Sequence, residues 1–488
     1  MHTLPLIESE FTRLPARFFS RVAPTTLGEP YWVAQNHALA AELNLSVEIF
    51  NEPDNLLYLT GSAKKYHPAP IASVYSGHQF GQYVSQLGDG RALLLGDSLD
   101  AKGHRWEWQL KGAGQTPFSR FADGRAVLRS SIREYLCSEA MHGLGIATTR
   151  ALALTGSNDA VFREQPETAA VVTRIAPSFL RFGHFEFMYH RGLHENIQPL
   201  ADFVIEHYFP ECRAAEQPYL ALIDAITQRT AELVAGWQSV GFCHGVLNTD
   251  NMSLLGLTID YGPFGFLDAY DRHHVCNHSD NGGRYAYNEQ PYVTHWNMTR
   301  LASCFLPLAS EAELVSVLDA YPDYFQVAYL AKMRAKLGLQ TEHKDDKNLI
   351  DNLFNALQGR KVDFTLFFRY LSEVENHPET KLPEKLLALF NGPTDDFLVW
   401  INTYRNRLQA ENNHQAARAE RMNQINPLYI LRNYLLEQAI ELANNGDFQE
   451  INRLQHCLQN PYTEQLEYSD FAKTPPTWAE KICVSCSS

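Results

Sequence analysis

The stretch HGVLNTDNMSLLGLTIDYG, residues 244 to 262, decides the predicted fold. Asn251 stands seven positions after His244, and the triplet Asp260-Tyr261-Gly262 begins nine positions after Asn251. An amide oxygen and a carboxylate are hard oxygen ligands, the type that Mg²⁺ and Mn²⁺ prefer. The spacing therefore predicts a divalent metal held by Asn251 and Asp260. The alternative is a loop with an Asx turn and a buried histidine.

Catalytic loops of kinases carry a similar pattern, in which an asparagine and the aspartate of a D-F-G triplet hold Mg²⁺. One position differs here, because Val246 stands where that pattern has its catalytic aspartate, two residues after the histidine. Valine accepts no proton, so an ordinary phosphotransferase mechanism is in question. Asp250 offers a carboxylate beside Asn251, and it is either a relocated base or a cap of the local backbone.

The segments on either side of this stretch differ in their periodicity. Residues 83 to about 175 are mostly strand-like, as in RALLLGDSL and RWEWQLKG, with one predicted helix from Gly124 to about His142. After about Ile197 the three- and four-residue spacing of helices dominates. We expect an α+β, protein-kinase-like, two-lobed fold in which a β-rich N-lobe precedes a helical C-lobe.

This order divides the chain into four expected segments. They are an irregular N-terminal extension (1–75), the N-lobe (76–185), the C-lobe with the metal and catalytic loops (186–400), and a helical C-terminal region with a cysteine tail (401–488).

Candidate phosphate-binding residues lie in the strand-like region. Lys111 ends the strand RWEWQLK and Glu134 lies in the next predicted helix, the order in which kinases pair a lysine and a glutamate to fix phosphates. The turn QLGDGRA provides Gly88, Gly90 and Arg91, where glycines permit close backbone approach and the guanidinium adds charge. Each feature alone is weak evidence, since most lysines are solvated and most such turns are hairpins.

Arginines are concentrated in the same region. Arg125, Arg129 and Arg133 recur every four residues, and Arg174 and Arg181 flank APSFL. We expect several of them to contact phosphates. The alternative is a solvated helix face with local ion pairs.

The composition excludes some classes of partner. The chain has 488 residues, with 41 basic and 56 acidic side chains and a formal net charge of −15. This acidity argues against a nucleic-acid or anionic-membrane partner. No apolar run approaches the ~18 to 20 residues of a membrane span. The start, MHTLPLIESEF, lacks a basic n-region and a long apolar stretch, so we expect a cytoplasmic protein.

Five long blocks resemble the selenoprotein O (SelO) family and together extend over nearly the whole chain. They are YSGHQFGQYVSQLGDGRA (75–92), WEWQLKGAGQTPFSRFADGRAVLRSSIREYL (106–136), TRIAPSFLRFGHFE (173–186), HGVLNTDNMSLLGLTIDYGPFGFLD (244–268) and NPLYILRNYLLEQAI (426–440). The resemblance implies a pseudokinase-like fold that binds ATP in a flipped orientation. It implies transfer of AMP to Ser, Thr or Tyr hydroxyls of proteins, with release of pyrophosphate. Some bacterial members similarly transfer UMP from UTP with Mn²⁺.

The resemblance also implies roles for single residues. Asp250 matches the proposed proton acceptor, and Glu134 matches the partner of Lys111; these three are the catalytic candidates. Asn251 and Asp260 match ligands of Mg²⁺ or Mn²⁺. The nucleotide-binding candidates are Gly88, Gly90, Arg91, Lys111, Asp123, Gly124, Arg174, Arg181 and Asp260.

Three rival functions remain open. The first is a kinase-like phosphotransferase that passes the γ-phosphate to a protein or a small molecule. The second is a nucleotide-binding regulator without turnover. The third is a thiol oxidoreductase built on the terminal CVSC, which lacks the βαβ context of thioredoxin-like proteins.

The CVSC motif comprises Cys483 and Cys486, and it resembles the C-terminal Cys-x-x-selenocysteine of the family. We expect one of these cysteines to form a disulfide with Cys276, in the loop after Asp260, and so to regulate access to the site. The alternative is that the pair faces a redox partner protein.

Overall fold

The structure is a computed structural model that describes residues 4–411 and 414–485. It is an α+β protein in which most strands precede most helices, as the sequence predicts. The strands of the described residues are β1 (Phe19–Arg21), β2 (Tyr31–Gln35), β3 (Ile71–Ser73), β4 (Gly77–Gln79), β5 (Gln82–Val84), β6 (Ala92–Leu99), β7 (Arg105–Lys111), β8 (Ala126–Val127), β9 (Arg150–Phe162), β10 (Pro166–Ala176), β11 (Phe242–Cys243) and β12 (Gly265–Phe266).

Helices pack on both faces of the sheet and form most of the second half of the chain. In the described ranges they are α1 (His37–Glu42), α2 (Pro53–Leu59), α3 (Leu128–Gly143), α4 (Phe182–His190), α5 (Ile197–Tyr208), α6 (Pro218–Val240), α7 (Gln290–Ser303), α8 (Glu311–Leu318), α9 (Tyr321–Lys336), α10 (Asp346–Leu357), α11 (Phe364–Leu371), α12 (Glu384–Leu387), α13 (Asp395–Gln409), α14 (Gln415–Ile425), α15 (Asn433–Asn444) and α16 (Gln449–Gln459).

Eight of the described strands form one antiparallel sheet. Seven of them follow the order β1-β3-β6-β7-β10-β9-β2, and β8 pairs with β10. The long β10 lies in the middle, between β7 and β9. Because side chains alternate across a strand, β7 buries Trp108 and Leu110 on one face and presents Gln109 and Lys111 on the other.

The first 75 residues are more regular than the sequence suggested. They supply β1, β2 and β3 to the sheet and the two short helices α1 and α2. These three strands have three to five residues each, which is too short for the period-2 pattern to appear in the sequence.

The predicted helix of residues 124 to 142 begins later than expected. Ala126–Val127 form β8, and the helix α3 spans Leu128–Gly143. Arg125 therefore precedes the helix. The helix packs on β9 and β10 and against α16, so its side chains are almost all buried.

Three clusters of buried apolar side chains stabilise this arrangement. One lies between the sheet and the N-terminal segments, and the largest joins the other sheet face to α3–α7 and to α15 and α16. The third is formed mainly by α9–α11 and α13. No helix within the described ranges combines the length and the apolar character needed to cross a lipid bilayer.

Candidate active site

The polar face of the sheet provides the first half of the site. On β7 and β10, Lys111 is paired in register with Val172, and Gln109 with Arg174. Helix α3 crosses this face and carries Glu134, whose Oε2 lies 2.6 Å from the Lys111 Nζ. Glu134 Oε1 lies 3.1 Å from a guanidinium nitrogen of Arg174. The strand lysine and the helix glutamate that the sequence nominated therefore form a buried ion pair.

Asp260 is surrounded by three cations. Its Oδ1 lies 3.2 Å from Lys111 Nζ and 2.7 Å from Arg174 Nη1, and its Oδ2 accepts a hydrogen bond from Arg181 Nη1. Burial raises the pKa of Asp260, but Arg181, Lys111 and Arg174 outweigh this effect and hold it well below its usual value. The Asp260 side chain is therefore an anion that ties both halves of the site together.

The two arginines are themselves fixed by neighbours. Arg174 donates to the side-chain oxygen of Gln109, and its guanidinium lies over the Phe179 ring, 5.2 Å from the centroid. Arg181 donates to the Asp250 carbonyl oxygen at 2.9 Å and lies 5.0 Å from the Tyr75 ring centroid. In each of them the Nε atom is buried and has no hydrogen-bond partner among the described residues.

The stretch 244–251 is held by contacts with backbone carbonyl groups, both its own and those of the segment 259–263. Buried His244 bonds through Nε2 to the Ile259 carbonyl oxygen at 2.9 Å, which joins the loop to the segment that carries Asp260. Gly245 has φ +79°, and a Cβ there would overlap the Pro263 carbonyl oxygen, so only glycine fits. A short 3₁₀ turn, Thr249–Asn251, follows, and Asn251 Nδ2 donates to the Val246 carbonyl oxygen at 3.0 Å.

Asp250 lies on this turn and is 7% exposed. Its Oδ2 accepts a hydrogen bond of 3.3 Å from the Gln79 amide, while its Oδ1 is buried and has no partner in the described part of the chain. Burial raises the pKa of the Asp250 carboxyl to about 7. A carboxylate with an unused buried oxygen is suited to accept a proton from a group that enters the site.

The glycine turn between β5 and β6 is packed against the segment 116–119. Gly88 has φ +123°, and a Cβ there would approach the Ser73 carbonyl oxygen to 2.9 Å and Phe118 to 2.8 Å. A Cβ at Gly90 would lie 3.0 Å from the Phe118 carbonyl oxygen. The glycines therefore allow this segment to cover the turn, and Arg91 beside them is exposed.

One cavity of about 810 Å³ joins all these groups, a volume typical of sites for small molecules and cofactors. Every site residue nominated from the sequence lines it. They are Gly88, Gly90, Arg91, Lys111, Asp123, Gly124, Glu134, Arg174, Arg181, Asp250, Asn251 and Asp260, and Val246 lines it as well.

Two of the three regularly spaced arginines do not belong to this cavity. Arg129 pairs with Glu167 at 2.9 Å, and Arg133 donates to the Phe264 carbonyl oxygen at 3.0 Å. Arg125 lies at the cavity, but its guanidinium donates to the carbonyl oxygens of Thr25 and Thr26. The expectation that these arginines gather around phosphates is therefore wrong for Arg129 and Arg133, which hold elements together instead.

Several residues of the site were missed by the sequence argument. Gln79 contacts Asp250, Gln109 orients Arg174, and Tyr75 lies against Arg181. Arg163 forms two bonds to Asp123, at 2.7 and 3.0 Å. Tyr75 and Gln79 belong to the block YSGHQFG, whose polar residues beside the glycine turn were the available signal.

The residues present fit a hard divalent cation. The Asn251 amide nitrogen is committed to the Val246 carbonyl, so its oxygen remains as a ligand, and the Asp260 carboxylate is ionised. Amide and carboxylate oxygens are the donors that Mg²⁺ and Mn²⁺ use in proteins.

The cysteines differ in accessibility. Cys276 is buried, and its Sγ lies 3.0 Å from the Pro263 carbonyl oxygen and 3.6 Å from that of Cys243. Cys483 is exposed, and Cys486 lies outside the described residues. The adjacent Val484 accepts a hydrogen bond of 2.9 Å from the backbone N–H of His278, two residues after Cys276, and its own N–H donates to His278 Nδ1 at 3.2 Å.

The sequence is similar to known proteins over almost its whole length. A family model described as protein adenylyltransferase SelO matches residues 5–459. A protein nucleotidyltransferase YdiU of Burkholderia multivorans is 49% identical, over 98% of this chain and 95% of the relative. Those of Thioalkalivibrio sulfidiphilus and Paraburkholderia xenovorans are 49% and 50% identical, over 100% and 99% of this chain and 100% and 95% of their own lengths.

The matches define the class of the protein as a nucleotidyltransferase. The chain belongs to the SelO protein adenylyltransferase family.

Proposed function

We propose that this enzyme transfers AMP from ATP, or UMP from UTP, to Ser, Thr or Tyr hydroxyls of protein substrates and releases pyrophosphate. One observation carries the proposal: three cations and the buried carboxyl of Asp250 line one cavity in which Val246 stands where a kinase has its catalytic aspartate. The names of the relatives, protein nucleotidyltransferases, support a protein as the acceptor.

Binding of the nucleotide is assigned to the cations. Lys111, Arg174 and Arg181 are desolvated and preorganised around Asp260, and their positive charge favours an anionic ligand. Triphosphate oxygens compete with Asp260 for these groups, and the glycine turn with Arg91 adds backbone and guanidinium donors. A bound Mg²⁺ or Mn²⁺ held by Asn251 and Asp260 supplies charge neutralisation at the phosphates.

We propose the flipped orientation of the nucleotide that the resemblance to the family implies. If the α-phosphate lies beside Asp250 and Asn251, the β- and γ-phosphates extend toward the arginines, which stabilise pyrophosphate as it leaves. Asp250 accepts the proton of the attacking hydroxyl. Positioning of the reactants and electrostatic stabilisation then supply most of the rate enhancement, as is usual in enzymes that catalyse transfer at phosphorus.

The architecture proposed for this function is the kinase-like one. The antiparallel sheet with α3 corresponds to the N-lobe and the helices after about residue 186 to the C-lobe, with the cavity lined from both parts. The divisions at residues 75, 185 and 400 remain part of this proposal. We also propose a cytoplasmic location, because six buried thiols that form no disulfide suit a reducing compartment.

The decisive experiment compares ATP labelled on the α-phosphate with ATP labelled on the γ-phosphate. Transfer of label to protein from α-labelled ATP only is expected, and intact-mass analysis with ATP and then UTP identifies the group. Asp260→Ala is expected to abolish the signal. Label from γ-labelled ATP only supports the rival phosphotransferase, and no label in any arm supports a regulator without turnover.

A redox function of the tail is proposed separately. Val484 docks on His278, so the tail passes close to the loop that carries Cys276. We expect oxidation to link Cys276 to Cys483 or Cys486; the alternative is that the pair of Cys483 and Cys486 faces a redox partner protein. Non-reducing peptide mapping tests this, and a Cys276 that stays free in oxidised samples contradicts it.

A further inference from the structure

A second cluster of potential metal ligands lies on the far side of β4 from the nucleotide cavity. It comprises His78 on β4 and Glu186 and His190, one turn apart on α4. One ligand atom of each residue lies within 4.8 Å of the other two. None of the three lines the cavity described above.

The glutamate is the unusual member of this histidine–glutamate cluster. Its side chain is completely buried, and Oε2 lies 2.7 Å from His78 Nδ1. Its other oxygen, Oε1, is also buried and has no hydrogen-bond partner in the described ranges. A buried carboxylate oxygen without a partner is costly, so its retention calls for a ligand that is absent from the structure.

The surroundings suit a cation that enters from solvent. The His78 ring packs against Tyr83 and Trp296, at centroid distances of 5.3 and 5.5 Å, so aromatic rings lie beside the cluster. His190 is exposed and leaves an entry path.

We propose that His78, Glu186 and His190 bind one Zn²⁺ ion, or a similar first-row divalent cation. Two imidazole nitrogens and one carboxylate oxygen form a donor set that zinc uses with a water in the fourth position. Mg²⁺ disfavours imidazole ligands, so this site selects a different metal from the nucleotide cavity.

The site has a structural consequence for β4. His78 donates its backbone N–H to Thr249 Oγ1 at 2.7 Å, and the next residue, Gln79, contacts Asp250. A metal that joins β4 to α4 therefore stabilises the strand against which the turn 249–251 rests. The proposal does not depend on which group the enzyme transfers.

The test uses the untagged full chain, stripped with a chelator and titrated with Zn²⁺ against a chromophoric chelator in the absence of nucleotide. One Zn²⁺ per chain with submicromolar affinity is expected, together with a rise in the melting temperature. Glu186→Gln and His190→Ala should each weaken binding by about 100-fold or more. His194→Ala, at an exposed histidine four residues after His190, is the matched control and should bind as the wild type does.

Co²⁺ adds a spectroscopic test, because a four-coordinate site gives strong visible absorption and a six-coordinate one does not. Circular dichroism checks that each variant is folded, and His190→Ala is at an exposed position in case Glu186→Gln fails to fold. Wild-type protein that binds no Zn²⁺ overturns the proposal. Equal affinity in the wild type and in His190→Ala overturns it as well.

Discussion

At the scale of single residues, Asp250 combines burial with an unused oxygen, and its role in the transfer can be separated from nucleotide binding. We expect Asp250→Asn to lower the transfer rate by about 10²–10⁴-fold, because the amide cannot accept the proton of the hydroxyl. Nucleotide affinity should change by less than roughly threefold, since the amide keeps the size of the side chain and an acceptor for Gln79.

The measurement pairs label transfer with calorimetric titration of the nucleotide. Asp202→Asn, an exposed aspartate of α5 outside the cavity, is the control and should leave both values unchanged. A transfer rate that survives Asp250→Asn would mean that another group, or water, takes the proton.

Lys336 provides a second prediction at this scale, one that concerns stability and pH. It ends α9 with only 4% exposure, and its ammonium lies 4.3 Å from the Phe368 ring centroid. Burial lowers its pKa to about 7 from an unfolded value of 10.5. Between these two pKa values the unfolded chain binds more protons than the folded chain. The charged Lys336 therefore destabilises the folded protein most below pH 7, and this loss of stability disappears as the pH rises toward 10.5.

Lys336→Met should consequently stabilise the protein by about 1–3 kcal/mol at about pH 6, an amount reduced by the loss of the cation–π contact. The gain should shrink toward about pH 10. Urea unfolding of both proteins at several pH values measures it, with Lys332→Met of the same helix as a control without this dependence. A gain that is the same at every pH would show that ionisation of Lys336 is not its cause.

At the scale of elements, the sequence predicts secondary structure well where the apolar–polar pattern is long. It predicts contacts poorly where the two residues are far apart in the chain. The alternation in RWEWQLK correctly places Trp108 and Leu110 in the core and Lys111 on the polar face. Likewise, the order of strand, helix and loop anticipates the ion pair of Lys111 with Glu134 and its neighbour Asp260.

The failures have physical reasons. Arg129 and Arg133 form a regular pattern, but their partners Glu167 and Phe264 lie 38 and 131 positions away, and local sequence does not reveal such contacts. Gln79 was missed because an amide that touches Asp250 across 171 positions has no spacing signature. A motif therefore identified the cavity, whereas the side chains that position its members became visible only in three dimensions.

The packing of α3 against α16 gives a prediction at the scale of elements. A Cβ at Gly143, the last residue of α3, would overlap the Leu458 carbonyl oxygen of α16, which is backbone and cannot yield locally. A Cβ at Gly236 in α6 would meet only the tip of Ile146, at 2.9 Å. Both glycines are helical, so propensity alone would favour alanine at each position.

We expect Gly143→Ala to destabilise the protein by about 1–3 kcal/mol, because α16 must shift away from α3. Gly236→Ala should remain within about 1 kcal/mol of the wild type, since the Ile146 rotamer can adjust and the helix gains propensity. Chemical denaturation of the three proteins side by side decides between them. Equal effects of the two substitutions would show that the α3–α16 contact is not tight.

At the scale of the whole molecule, one arginine connects two apolar cores. Arg432 precedes α15, is 1% exposed, and lies 2.8 Å from both Asp268 and Asp363. Asp363 caps α11 by accepting the Leu366 N–H. The neighbour Leu431 belongs to the core around the sheet and α3, whereas Phe364 belongs to the core formed by α9–α11 and α13. The ion pair therefore joins the core around the sheet and α3 to the core formed by α9–α11 and α13.

Removal of Arg432 should lower the free energy of unfolding of the whole protein. Arg432→Met leaves the buried Asp363 without its cation, and a broken buried pair costs about 3–5 kcal/mol. Lys361→Met removes an ion pair with Glu480 whose side chains are 65% and 71% exposed, and it should change stability by less than about 1 kcal/mol. Both variants are followed by urea unfolding with tryptophan fluorescence and with circular dichroism. If Arg432 couples the two cores, its loss should lower the urea midpoint strongly and should make the fluorescence and circular-dichroism transitions occur at different urea concentrations. An effect no larger than that of Lys361→Met would mean that packing alone joins the two cores.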